Sequence, residues 1–172
     1  GAVMYADWAL GEFIREAARR PWFPDALFVI VADHTSNGRG RIDLPPANYR
    51  VPLVFYAPGR IAPGRIEATA SLVDVPTTLL AQIGGASPEG FFGVDLRDRG
   101  RHHTRGFLAN YLTVGYLEYG AVVELSPRRG TRVLDAVDGR PLPVTDARVG
   151  RLIEHAVASY QTAADLLKRA RP

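Results

Sequence analysis

The sequence predicts an α/β fold: a parallel sheet covered by helices, then a small antiparallel sheet and a final helix. Three observations carry this. Residues 26–32 (ALFVIVA) form an apolar run of strand length, rich in β-branched side chains and without alternation. A strand apolar on both faces belongs in the middle of a parallel sheet between helices. Residues 51–56 repeat that pattern after a loop, and a helical segment lies on the far side of each strand. Beyond residue 106 the period changes, and two apolar stretches meet at Tyr119-Gly120 as in a hairpin.

Taken in order, the opening segment places Ala6, Leu10, Phe13, Ile14 and Ala17 at helical spacing, with Asp7, Glu12, Arg15, Glu16 and Arg19 elsewhere. Pro21 and Pro24 end that helix. The strand over 26–32 stops at Asp33-His34-Thr35-Ser36-Asn37-Gly38. Residues 39–50, with two prolines, read as a loop. The strand over 51–56 closes at Ala57-Pro58-Gly59. In 71–85 Asp74 is an expected N-cap, Pro76 suits the first helical turn and Gly84-Gly85 suits the exit. An arginine-rich patch covers 97–105. Residues 107–118 and 121–125 read as strands, with a third over 131–136. Val149, Leu152, Ile153, Ala156, Val157, Tyr160, Ala164 and Leu167 trace a long amphipathic helix, capped by Asp146 or Thr145. No long linker separates the halves, so 1–172 reads as a single domain, with an α/β part over 1–100 and the antiparallel strands and helix over 101–172.

The chain has 172 residues, 47% of them apolar and 23% charged. That is enough to bury a core and too apolar for intrinsic disorder. Its net charge of +3 is small, and apart from Lys168 its 21 basic residues are arginines scattered among acids. They form no basic stripe with interleaved aromatics, so a nucleic-acid partner is not expected. The absence of cysteine excludes a disulfide scaffold, a zinc–thiolate site and a cysteine nucleophile within these residues. The longest apolar run, 26–32, falls far short of the roughly 20 residues of a membrane span, and no signal peptide is legible.

The informative chemistry lies at Asp33-His34. In open α/β sheets ligands bind outside the carboxyl ends of the strands, and this pair follows a strand. A carboxylate oxygen and an imidazole nitrogen suit zinc or manganese. The plainer reading, an Asp that caps the loop beside a packed His, stands next to it. Catalytic metals take three or more protein ligands. His155 sits near the apolar face of the last helix and reads as a packed or half-exposed histidine. His102-His103 reads as part of a solvated loop. Thr35 and Ser36 adjoin the pair without a visible base or a nucleophile elbow. Arg39, Arg41 and Arg50 can bind an anion beside a metal, since guanidinium pairs well with phosphate or sulfate oxygens. The plainer reading of these arginines is a mobile charged loop.

The segments "ALFVIVADHTS", "VPLVFYAPG", "SLVDVPTTLLAQIGG" and "FFGVDL", in that order and preceded by the helix "YADWALGEFI", resemble the C-terminal part of the sulfatase family in the alkaline-phosphatase superfamily. The nearest branch is that of the lipoteichoic-acid-synthase-like phosphoglycerol transferases. The resemblance implies part of a three-layer α/β/α sandwich of the alkaline-phosphatase type. It implies that Asp33 and His34 are ligands of a divalent metal, manganese, zinc or calcium. It further implies an anionic phosphate or sulfate ester substrate, which by their guanidinium chemistry Arg39 or Arg41 is expected to face, and a nucleophile and further carboxylate ligands that lie upstream in the family. With about thirty residues before Asp33, those parts have no room here.

The expectation is therefore a C-terminal portion of a metal-dependent sulfatase-like hydrolase or phosphoglycerol transferase, inactive alone. Its parent would be membrane-anchored through a segment outside these residues, with this part in the periplasm or outside the cell. The alternative is a non-catalytic α/β module that binds a partner or a second copy of itself through an exposed sheet edge.

Overall fold

The computed structural model describes residues 1–35, 44–86, 90–98 and 105–169. The chain divides into two compact units: Gly1–His34 with Val51–Arg65, and Thr35–Arg50 with Ile66–Pro172.

In the first unit, helix α1 (Ala2–Ala17) is followed by a short 3-10 turn (Phe23–Asp25) and strand β1 (Phe28–Val31). Strand β2 (Leu53–Tyr56) pairs with β1 in register Phe28↔Tyr56 through Val31↔Leu53. The pairing is antiparallel, where the sequence predicts a parallel sheet. An unbroken apolar run reports that both faces suit burial; it carries no information on strand direction. Nor are the strands deeply buried, for Val31 and Val54 are 40% and 46% exposed. What joins helix to sheet is a cluster of rings around Phe28. Phe13 of α1 meets it edge-on at 6.0 Å, Phe23 lies at 5.6 Å, Tyr56 of β2 at 6.1 Å and Trp22 at 6.4 Å. Such pairs add about 0.5–1.5 kcal/mol each beyond area burial.

The second unit is built on a four-stranded antiparallel meander, β3 (Arg105–Ala109), β4 (Val114–Glu118), β5 (Ala121–Ser126) and β6 (Gly130–Asp135), in sequential order. The stretch 107–118 is thus two strands rather than one. Asn110 breaks it: its Oδ1 accepts the N–H groups of Leu112 and Thr113 at 3.0 and 2.9 Å, and the chain reverses. The expected hairpin at Tyr119-Gly120 is present, with φ of 48° and 73°. Two positive φ values in a two-residue loop match the right-handed twist of the flanking strands, and Gly120 adopts one without strain.

Alternate side chains of this sheet face two cores. Tyr116, Ala121, Val123 and Val133 pack against Val149, Leu152 and Ala156 of helix α3 (Val149–Arg169). On the other face Leu108 and Val122 bury Leu44. Gly115 permits that approach, since a Cβ there would stand 2.7 Å from the Leu44 side chain. The final helix lies where its apolar stripe predicts. Tyr160 ties it down by donating to the carbonyls of Gly115 and Leu108 at 2.8 and 3.2 Å.

Helix α2 (Asp74–Gln82) begins differently from the expectation. Asp74 is inside the first turn and fully buried, and its side chain does not cap the helix. Its Oδ2 accepts the Ser71 N–H at 2.8 Å and its Oδ1 the Val94 N–H at 2.9 Å, and Arg105 Nη2 stands 3.4 Å away. Thr78 Oγ1 accepts the Leu96 N–H at 3.0 Å. The segments "SLVDVPTTLL" and "FFGVDL" therefore meet: residues 93–96 are strapped across the start of α2. Gly93 is the point of closest approach, where a Cβ would fall 2.0 Å from the Val73 carbonyl oxygen.

Candidate functional site

Strand β1 delivers Asp33 and His34 just past its carboxyl end. Both side chains are open to solvent, at 85% and 79% exposure. Asp33 uses Oδ1 to accept the backbone N–H of His34 at 2.8 Å, which fixes the carboxylate against the turn. Its Oδ2 lies 3.3 Å from His34 Nε2. One carboxylate oxygen and one ring nitrogen thus stand side by side at the surface. That donor pair fits a divalent ion as two ligands out of the three or more such an ion takes from protein. Among the described residues no group of three or more His, Cys, Asp or Glu side chains gathers to hold a metal.

Of the other expected residues, Arg39, Arg41, Ser36, His102 and His103 lie outside the described residues. Thr35 Oγ1 donates to the Asn48 carbonyl, so its hydroxyl is engaged in holding the 46–49 turn. Arg50 is exposed at the end of that turn.

His155 is half-exposed on α3, as its place near the apolar face predicts. Its partner is one that sequence reasoning missed. Glu118, buried at the end of β4, stands with Oε2 at 2.7 Å from His155 Nδ1. Tyr116 lies edge-on to the His155 ring at 6.4 Å. Burial and the neighbouring Glu118 carboxylate push the Tyr116 hydroxyl up to about 12. The two partners are 37 residues apart, so no local pattern links them. The one sequence signal is an acid at the end of an apolar strand. The cluster clamps α3 onto the sheet. Arg132 plays a similar part on the other side, pairing across β5 and β6 with buried Glu124, whose Oε1 accepts the Leu44 N–H at 3.0 Å.

The sulfatase family matches residues 1–85 of the chain, the stretch that carries Asp33 and His34 and ends just past α2. Among solved structures the chain is similar to a protein in the alkaline phosphatase superfamily from Vibrio parahaemolyticus, at 28% identity and a TM-score of 0.80. That similarity covers 95% of this chain and 41% of the other, so the chain spans less than half the length of the structure it matches. By these two findings residues 1–85 match the sulfatase family, and the chain carries the α/β fold of the alkaline phosphatase superfamily.

Proposed function

We propose that Asp33 and His34 are two ligands of a divalent metal centre in a hydrolase or transferase acting on phosphate or sulfate esters. The carrying observation is the pair itself: adjacent, solvent-open, 3.3 Å apart just past β1 and inside the sulfatase match. A bound manganese, zinc or calcium ion there would polarise an ester oxygen and favour attack at phosphorus or sulfur. The chain's own part is to fix one carboxylate through the His34 N–H and to hold the imidazole beside it. The remaining ligands and the nucleophile come from outside the described residues, in keeping with a chain that spans 41% of its structural relative. Arg39 or Arg41 faces the anionic substrate in this reading, which sets it with the phosphoglycerol transferases and in a periplasmic or extracellular compartment. Among the described residues no helix is long and apolar enough to cross a membrane.

The experiment is ester cleavage measured in the natural protein that contains these residues. Asp33→Ala and His34→Ala are expected to abolish metal-dependent turnover of an aryl phosphate or sulfate while leaving the fold intact. The 172-residue chain by itself is expected to show none. Full activity in either variant contradicts the ligand assignment. Robust turnover by the chain alone, lost in Asp33→Ala, contradicts the incomplete site.

A second reading has its own observation. Val3, Met4, Tyr5, Trp8 and Phe13 of α1 are all more than half exposed, an apolar surface suited to association. A concentration-dependent dimer in sedimentation favours a self-association module; a clean monomer at high concentration removes it.

A further inference from the structure

The meander of the second unit has two unlike ends. Strand directions put the 110–113 turn and the 127–129 turn at the same end, because β3 and β5 both run toward it. At the first of these turns Tyr111 is 95% exposed and Leu112 65% exposed. At the second, Pro127 is followed by Arg128 and Arg129, both exposed and both left-handed, with φ of 61° and 63°. Side-chain-bearing residues resist that conformation, and two in succession are a cost the turn carries without a glycine. Neither arginine has an acidic partner among the described residues. Helix α3 arrives at this end too. Arg148, just before it, donates to the Tyr119 carbonyl at the opposite end, and Tyr160 reaches Gly115 and Leu108. From Tyr160 the helix continues roughly 13 Å to its last turn. That turn presents Leu167, 68% exposed, with Lys168 and Arg169. Among the described residues, Arg128, Arg129, Lys168 and Arg169 are cations of this end, with Asp165 paired to Lys168 at 3.3 Å and Arg132 paired to Glu124 further along the strands. The other end is mixed: Asp135, Asp138 and Asp146 stand with Arg140 and Arg148.

We propose that the end of the meander formed by Tyr111, Leu112, Arg128, Arg129 and the last turn of α3 docks this unit on an anionic lipid bilayer. Exposed Tyr and Leu insert at the interface between headgroups and acyl chains, and unpaired arginines beside them meet anionic headgroups. A nucleic-acid partner has no use for the protruding Leu112 and Leu167. Membrane contact would then be made by these residues themselves, rather than only through a segment outside them. The inference stands apart from the metal proposal and uses none of its residues.

Vesicle flotation of the 172-residue chain tests it, with phosphatidylglycerol-containing and pure phosphatidylcholine vesicles and a DNA duplex as a second polyanion. Binding to the anionic vesicles alone is expected, weakening as salt rises. Arg128→Ala with Arg129→Ala should lower the affinity about 30-fold, near 1 kcal/mol per cation. Tyr111→Ser with Leu112→Ser should lose binding while leaving the charge unchanged. Arg140→Ala, at the opposite end, should bind like the parent. These positions are exposed, and circular dichroism checks each fold. Four results overturn the proposal: no binding to anionic vesicles, equal binding to neutral ones, equal binding to DNA, or an Arg140→Ala variant as weak as the double arginine variant.

Discussion

The two units solve the same problem with unequal means. The antiparallel meander is covered on both faces, by α3 on one and by Leu44 on the other, and Ala121, Val122 and Val123 in β5 are at most 1% exposed. The β1–β2 pair has one helix against it, and Val31 and Val54 remain 40% and 46% exposed. A two-stranded sheet is marginal by itself, whereas a meander of four strands with a packed helix is not. Yet the thinly packed unit carries the candidate metal ligands, and the well-packed one carries none. The packed core and the proposed metal ligands are thus lodged in different parts of the chain.

The largest test of that contrast is Asp74→Ala. It removes the acceptor for two backbone N–H groups and leaves the buried Arg105 guanidinium without its counter-ion. Breaking a buried pair from one side costs about 3–5 kcal/mol. The expected readout is a loss of that size in urea unfolding of the second unit, with no change in the near-ultraviolet signal of the Phe28 cluster before the transition.

Leu152→Ala follows. Leu152 is 1% exposed between α3 and the sheet, and such truncations cost about 2–5 kcal/mol. Val54→Ala in β2, nearly half exposed, should cost under about 1 kcal/mol. Equal losses in a denaturant titration of the two variants would break the comparison.

The smallest effect concerns pH. Asp146 is held down to about 2 by hydrogen bonds from the Arg148 guanidinium and backbone N–H, against an ordinary value of 3.8. A depressed folded value means the stabilisation is present above about pH 4 and disappears as pH falls toward 2. The melting temperature of Asp146→Asn should therefore lie below that of the parent at pH 5 and converge with it near pH 2. A gap that persists unchanged at pH 2 removes the assigned cause.

Much of this arrangement is legible in the sequence because periodicity reports burial. The stripe from Val149 to Leu167 and the strand over 26–32 are where the pattern puts them, and Asp33-His34 falls at a strand end. What periodicity does not carry is direction and partnership. The apolar run of β1 fits a parallel or an antiparallel neighbour equally, so its pairing with β2 is opposite to the expectation. Tyr111 and Leu112 are as apolar as a strand, which hides a turn made by the Asn110 side chain. Asp74 sits where a cap belongs, and only the distant Val94 and Arg105 reveal it as a buried acceptor. The pair Glu118 and His155 is invisible for the same reason. The Asp33-His34 pair was legible as a pair, since the two are adjacent in sequence and need no tertiary contact to be found together.

The two units each hold a described histidine, and that permits the most direct test of the metal assignment. His34 is 79% exposed beside an open carboxylate, and His155 has its Nδ1 occupied by Glu118. Manganese broadens the ring resonances of a histidine it binds. Titrated into the 172-residue chain, it should broaden His34, identified by its loss in His34→Gln, well before His155, and Asp33→Ala should remove that preference. Broadening of His155 at the same manganese concentration as His34, or a His34 response unchanged in Asp33→Ala, would contradict the assignment.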